Sequence, residues 1–172
     1  MLTKIDLCSM ALLKLGENPI QSFSDDTAAA KLGRTLTDFV IDTLLALHPW
    51  NFAHQTYDLV ANESGEVQIP SEVLRIIKSD VAIRDNKFIS PNGHLRIVAI
   101  KRVGPESFPS YFASLVATKL AMEFCIPLTS DQSIFRTLVA LYESELQNAK
   151  FIDSTTSVTT SIENFSLISS RF

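Results

Sequence analysis

Apolar residues at Ile5, Cys8, Leu12 and Leu15 recur at intervals of three and four, the period of one helical face. Thr3 with Asp6 three positions on resembles a capping box, and Gly16 is a natural stop, so the pattern predicts a first helix over Thr3 to Leu15. "GENPIQSFSDD" reads as a connection, with Ile20 and Phe23 as anchors and Ser24, Asp25 and Asp26 as N-caps. A second helix is predicted from Asp26 to His48. Leu32, Leu36, Phe39, Val40, Leu44 and Leu47 fall on one face, and Lys31, Arg34, Asp38 and Asp42 mostly on the other. Pro49 ends it, because proline drives the preceding residue out of helical geometry.

The period then changes. "NFAHQTYDLVA" alternates imperfectly, as a strand does, and "NESGE", "DNK" and "SPNGH" mark turns. "VQIP", "VLRIIKSDVAIR" and "LRIVAIKRV" supply further strand-like runs. Together 51–103 predicts a small antiparallel sheet.

Gly104-Pro105 closes that region, and Ser107 can cap a third helix with Pro109 in its first turn. This helix is predicted from Pro109 to Phe124. It carries a small-residue stripe, Ala113, Ala117 and Ala121, and bulk at Phe112, Leu115, Val116, Leu120 and Phe124. "CIPLTSD" reads as its break. Thr129 to Gln132 resembles another capping box, and a fourth helix follows from Ser130 to Lys150, apolar at Phe135, Leu138, Val139, Leu141, Tyr142 and Leu146. From Asp153 on, Ser and Thr dominate, which predicts a solvated tail. Its apolar residues, among them Val158, Ile162, Phe165, Leu167, Ile168 and Phe172, suit a segment that docks on a partner. The predicted fold is α+β, mainly α. A four-helix bundle (1–50 and 104–150) carries a small antiparallel β-domain (51–103) inserted between its second and third helices, and 151–172 form an extended C-terminal tail.

Composition narrows the function. A net charge of −4 and a pI of 5.3 give no electrostatic reason to grip nucleic acid, which needs clustered Lys and Arg. The two cysteines, Cys8 and Cys125, sit among apolar residues without C-x-x-C or zinc-ligand spacing and read as small buried hydrophobes. The N-terminal residues do not form a signal peptide, and no run reads as the roughly 18–20 apolar residues that span a bilayer. A soluble protein with reduced thiols is expected.

Candidate chemistry is thin. His48, His54 and His94 are scattered, and none has an acid or thiol at motif spacing. Asp25-Asp26 is simpler as helix caps than as a catalytic carboxylate pair. Glu143 and Glu145 beside Lys150 read as a solvated face. No nucleophile elbow, P-loop, H-E-x-x-H or dinucleotide fingerprint occurs. Lys78, Arg84, Arg96, Lys101 and Arg102 make the sheet locally basic, which reads as an exposed polar face. No cofactor, metal or catalytic residue is predicted. Trp50, the only tryptophan, falls at the break between helix and sheet. Together with His48, Pro49 and Phe52 it is expected to build a structural junction, with its indole N–H on a nearby acceptor.

Three stretches carry a resemblance: A-L-x-x-L-G-x-x-P-I at Ala11 to Ile20, D-D-x-x-x-A at Asp25 to Ala30, and H-P-W-N-F-A at His48 to Ala53. They resemble the N-terminal signature of the head-to-tail adaptor proteins of tailed bacteriophages, the tail tubular protein A group. "LVATKLAMEFCIPLTSD" is similar to the family's later helices and their connecting turn. The resemblance implies a structural virion protein, not an enzyme and without cofactor. It implies a homo-oligomeric ring, usually of twelve subunits, at the head–tail junction, made in the host bacterial cytoplasm. Its partners would be other copies of itself, the portal protein, the tail nozzle protein and tail fibres. DNA would pass through the lumen without sequence-specific binding, and no membrane is involved. The tail residues Ile162, Phe165, Leu167, Ile168 and Phe172 are then candidates for portal binding. The alternatives are another ring-forming completion or terminator protein of the tail, or a virion-associated cell-wall hydrolase.

Overall fold

The computed structural model describes residues 1–62, 64, 66–80, 83–84, 87–89 and 93–156. Helix α1 spans Lys4–Lys14 and opens on the predicted capping box. The Asp6 amide donates to Thr3 Oγ1, and the Thr3 amide donates to Asp6 Oδ2 at 2.8 Å. It closes at Gly16, whose φ of 76° is left-handed. There the amides of Gly16 and Glu17 turn back onto the carbonyls of Leu13 and Leu12, giving orphan helix-end acceptors their donors.

Helix α2 spans Ala28–Leu47, two residues later than expected at its start. Thr27 is its cap, accepting from the Ala30 amide. Asp25 instead ties the preceding loop by accepting from the amides of Gln21 and Ser22, and Asp26 pairs with Lys31. The predicted face holds in part: Val40 and Leu44 are buried and Leu32 and Leu36 pack against the core, but the centre of the buried face is shifted. Ala30, Gly33, Thr37, Val40, Ile41, Leu44 and Leu45 face inward, whereas Phe39 is 69% exposed and Leu47 46% exposed. At Gly33 the inner face needs a small residue, because Phe23 and, from α1, Cys8 approach it closely. A Cβ on Gly33 would stand 3.0 Å from the Phe23 ring and 3.2 Å from Cys8 Sγ.

Asn51–Ala53 form a short 3-10 turn rather than the start of a strand. The strands are β1 (His54–Val60), β2 (Glu66–Val67), β3 (Val73–Ser79), β4 (Ile83–Arg84), β5 (Lys87–Ile89) and β6 (His94–Lys101). They form two antiparallel three-stranded sheets, ordered β1-β6-β3 and β2-β5-β4. β6 is central to the first and shows the two-residue period of a strand. Leu95, Ile97 and Ala99 bury into a small core with Val67, while Ile100 points the other way, into the helical core.

Helix α3 spans Ser110–Thr129 and α4 spans Gln132–Thr156. Two boundaries are corrected. α3 starts after a 3-10 turn at Pro105–Ser107, so Ser107 is not its cap. It also continues through "CIPLT" with Pro127 inside its last turn. There the missing N–H deprives a single carbonyl of its partner, and Thr129 Oγ1 donates back to the Cys125 carbonyl. Ser130, left-handed at φ 54°, ends the helix, and Asp131 rather than Thr129 caps α4, accepting from the amides of Ser133 and Ile134. α4 runs past Lys150 to Thr156, so Phe151 to Thr156 are helical, not tail. The reason is burial: Ala149 and Asp153 continue the inward face of Leu138 and Leu146.

The other three helices all pack against α3. That position explains why α3 is apolar nearly all round, with Phe112, Leu115, Val116, Ala117, Leu120, Ala121 and Phe124 buried. By length and composition α3 is also long and apolar enough to cross a membrane, contrary to expectation, and 56% of that window is buried inside the protein. The architecture is α+β: among the described residues, four helices with small antiparallel sheets between the second and third in chain order.

Candidate functional site

The strongest convergence of side chains lies where α2 gives way to the sheet. His48 is extended (φ −135°, ψ 149°), as a residue before proline must be, and the chain turns sharply through Pro49. Trp50 is thereby driven inward and is fully buried. Its Nε1–H donates to the Leu44 carbonyl at 2.7 Å, one of the carbonyls that the helix end leaves without an internal partner. The indole thus satisfies its own polar atom and one of the helix's.

Aromatic rings from two segments close around it. Trp50 meets Phe112 edge-on at 5.0 Å between centroids and His48 at 4.7 Å. Phe52 packs on Phe112 at 4.9 Å, and Phe108 on Phe112 at 4.8 Å, all at the T-shaped angles that the ring quadrupoles favour. The joint therefore bonds the end of α2 to the start of α3, on either side of the sheet in sequence.

Polar contacts fix the same angle. Arg75 of β3 donates from Nη1 to the Ala46 carbonyl at 3.1 Å, placing a cation at the negative end of α2. Arg102, just past β6, grips Asp42 of α2 through two bonds, Nε–Oδ1 at 2.8 Å and Nη2–Oδ2 at 2.5 Å. From below, Asp153 of α4 enters the joint only 1% exposed. Its carboxylate accepts from the Asn51 amide (3.1 Å), Asn51 Nδ2 (3.2 Å) and the Tyr111 hydroxyl (2.9 Å), and its own carbonyl accepts from Asn51 Nδ2 at 2.6 Å. His48 Nε2 stands 3.7 Å from the carboxylate. Burial pushes the His48 imidazole below its ordinary pKa, with Asp153 opposing that shift and Lys150, Arg75 and His54 adding to it. Burial, then donation to Asp153, pushes the Tyr111 hydroxyl well above its ordinary value.

The structure thus gathers His48, Pro49, Trp50 and Phe52 in one place. It does not bring the histidines together. His54 and His94 stand at opposite ends of the β1–β6 pair, opposite Ile100 and Val60. The basic residues of the sheet are partly paired, Arg96 with Asp58 and Arg102 with Asp42. Glu145, expected on a solvated face, is half-buried and accepts from the Ser114 hydroxyl at 2.9 Å. Cys8 and Cys125 are free and buried. Ile162, Phe165, Leu167, Ile168 and Phe172 lie outside the described residues. A cleft of about 510 Å³ opens beside the joint, and its charges pair across it, Lys4 with Asp38 and Arg102 with Asp42.

Sequence reasoning missed Asp153, Tyr111 and Asn51. The available signal was the spacing Leu146, Ala149, Asp153, which extends the inward face of α4 by one more turn.

What the fold and this joint define is an α+β protein whose helices and sheet are locked by an aromatic and carboxylate cluster. No protein-family model matches the chain, and no curated protein matches it either.

Proposed function

We propose that this chain is a structural subunit of a tailed phage, forming the adaptor ring between the portal and the tail nozzle. In this reading the helices are a four-helix bundle with the β-domain inserted. The ring sits at the head–tail junction of the virion, and DNA passes through its lumen without sequence-specific contact. One observation carries the proposal. The H-P-W-N-F-A stretch that makes the resemblance is also the stretch that builds the joint: Trp50 and Ala53 are buried in it, Asn51 holds Asp153, and Phe52 packs on Phe112. A part that transmits load between a head and a tail needs such a rigid connection between its halves.

Exposed apolar residues support the same reading. Leu13 on α1, Phe39 on α2 and Phe151 on α4 are each more than 60% exposed. They stand on three different helices, and a closed ring needs contacts on two different faces of each subunit.

Electron microscopy of the full chain, with and without the phage portal protein, tests the proposal. A ring that caps the portal is expected. A ring indifferent to the portal points to a completion or terminator protein, and a monomer that degrades peptidoglycan points to the hydrolase. Truncation after Thr156, which spares Asp153, is expected to leave folding and ring formation intact and abolish portal binding. Undiminished binding rules out a portal role for Ile162, Phe165, Leu167, Ile168 and Phe172.

A further inference from the structure

We infer that Asp153 is a latch that couples the end of α4 to the helix–sheet joint, so that the two move as one unit. Four groups face its carboxylate from two other segments: the Asn51 amide, Asn51 Nδ2 and His48 Nε2 from the turn after α2, and the Tyr111 hydroxyl from the start of α3. Among the described residues, the end of α4 beyond Ala149 is held to the joint at Asp153, through its carboxylate and through its carbonyl, which accepts from Asn51 Nδ2. Phe151 is 67% exposed, Ser154 to Thr156 are exposed, and Ile152 is only partly covered.

That imbalance is what makes a latch rather than a piece of core. An apolar anchor loses its stabilisation outright when it is pulled into water. A carboxylate regains its hydration on release, which offsets part of what the lost hydrogen bonds cost. Helix ends also open at lower cost than helix centres. Release is not silent at the other side, however. It strands the Asn51 amide and the Tyr111 hydroxyl in a half-buried site, next to the Trp50 ring that joins the end of α2 to the start of α3. A partner that takes hold of the chain beyond Thr156 therefore reaches this joint through Asp153. That last consequence rests on the adaptor reading; the coupling itself does not.

The test is backbone and indole hydrogen exchange on the full chain alone, comparing the parent with Asp153→Ala, Asp153→Asn and Thr155→Gly. Asp153→Ala is expected to speed exchange at least about tenfold both in the last turns of α4 and at the Asn51 amide and Trp50 indole. Thr155→Gly, which frays the same helix end without touching the carboxylate, is expected to speed α4 alone. Should Asp153→Ala not fold, Asp153→Asn, which keeps the shape and one acceptor, is read by the same criterion. Faster exchange confined to α4 in the Asp153 variants, or a joint that loosens as much in Thr155→Gly, overturns the inference. Because no partner enters the measurement, its failure leaves the adaptor reading standing, and the converse holds too.

Discussion

Asn51 and Asp153 lie 102 positions apart and are bonded through both main chain and side chain, with Asp153 accepting from the Asn51 amide and Asn51 Nδ2 reaching the Asp153 carbonyl. Tyr111 completes the set from a third segment. The three donors are not equivalent. Tyr111→Phe removes a hydroxyl and its bond together, leaves the carboxylate with Asn51, and is expected to cost about 1 kcal/mol. Asp153→Ala leaves a backbone amide and a hydroxyl without acceptors, and is expected to cost more, about 1–3 kcal/mol or beyond. Urea unfolding of both variants checks the order, and equal losses would mean that the carboxylate is not the hub.

Trp50 gives the largest single-residue effect. It is fully buried among Phe52, Tyr111 and Phe112 and bonded to Leu44. Trp50→Ala opens a cavity where the end of α2 meets the start of α3 and is expected to cost about 3–5 kcal/mol. Trp50→Phe keeps most of the apolar area and loses the indole bond, so it should fall well short of that. Chemical denaturation of the pair separates packing from the hydrogen bond, and a Trp50→Ala variant of parent stability refutes the assignment of Trp50 to the joint.

Local chemistry was legible in the sequence. The Thr3–Asp6 box, the Gly16 stop and the break at His48-Pro49 each depend on a few neighbouring residues, and each is found where the pattern placed it. Facts set by distant neighbours were not legible. Periodicity placed Phe39 and Leu47 inward, but the buried face takes in Gly33 and Thr37 instead, and at Gly33 the close approach of Phe23 and Cys8 needs a small residue. Pro127 looked like a helix break, yet it falls late enough in α3 to cost only one carbonyl its partner. Asp153 looked like the start of a polar tail because its partners, Asn51 and Tyr111, are remote in sequence.

Gly16 isolates the contribution of a single cap. Its φ of 76° lies in the left-handed region, and no heavy atom stands within 4 Å of where a Cβ would be. Gly16→Ala therefore meets backbone strain without a clash, and is expected to cost about 1 kcal/mol. Gly16→Asn, which tolerates that conformation better, should recover part of the loss. Thermal unfolding of the two variants decides, and an alanine variant as stable as the parent would mean that the turn relaxes out of the left-handed region.

His48 sets the expected response to acid. Its folded-state pKa lies below the ordinary 6.5, because burial against Trp50 outweighs the nearby Asp153. Above about pH 6.5 both folded and unfolded chains carry it neutral, and it contributes no pH dependence. As pH falls through that value the unfolded chain takes up a proton that the folded chain resists. Stability should then drop until the folded imidazole also protonates, and level off below. The parent should therefore lose stability between about pH 6.5 and its folded midpoint, and His48→Gln should lack that component of the slope. Proton NMR titration of His48 reads the midpoint directly. A midpoint above 6.5 would show that the Asp153 carboxylate, and not burial, governs the imidazole, and the acid dependence would then reverse sign.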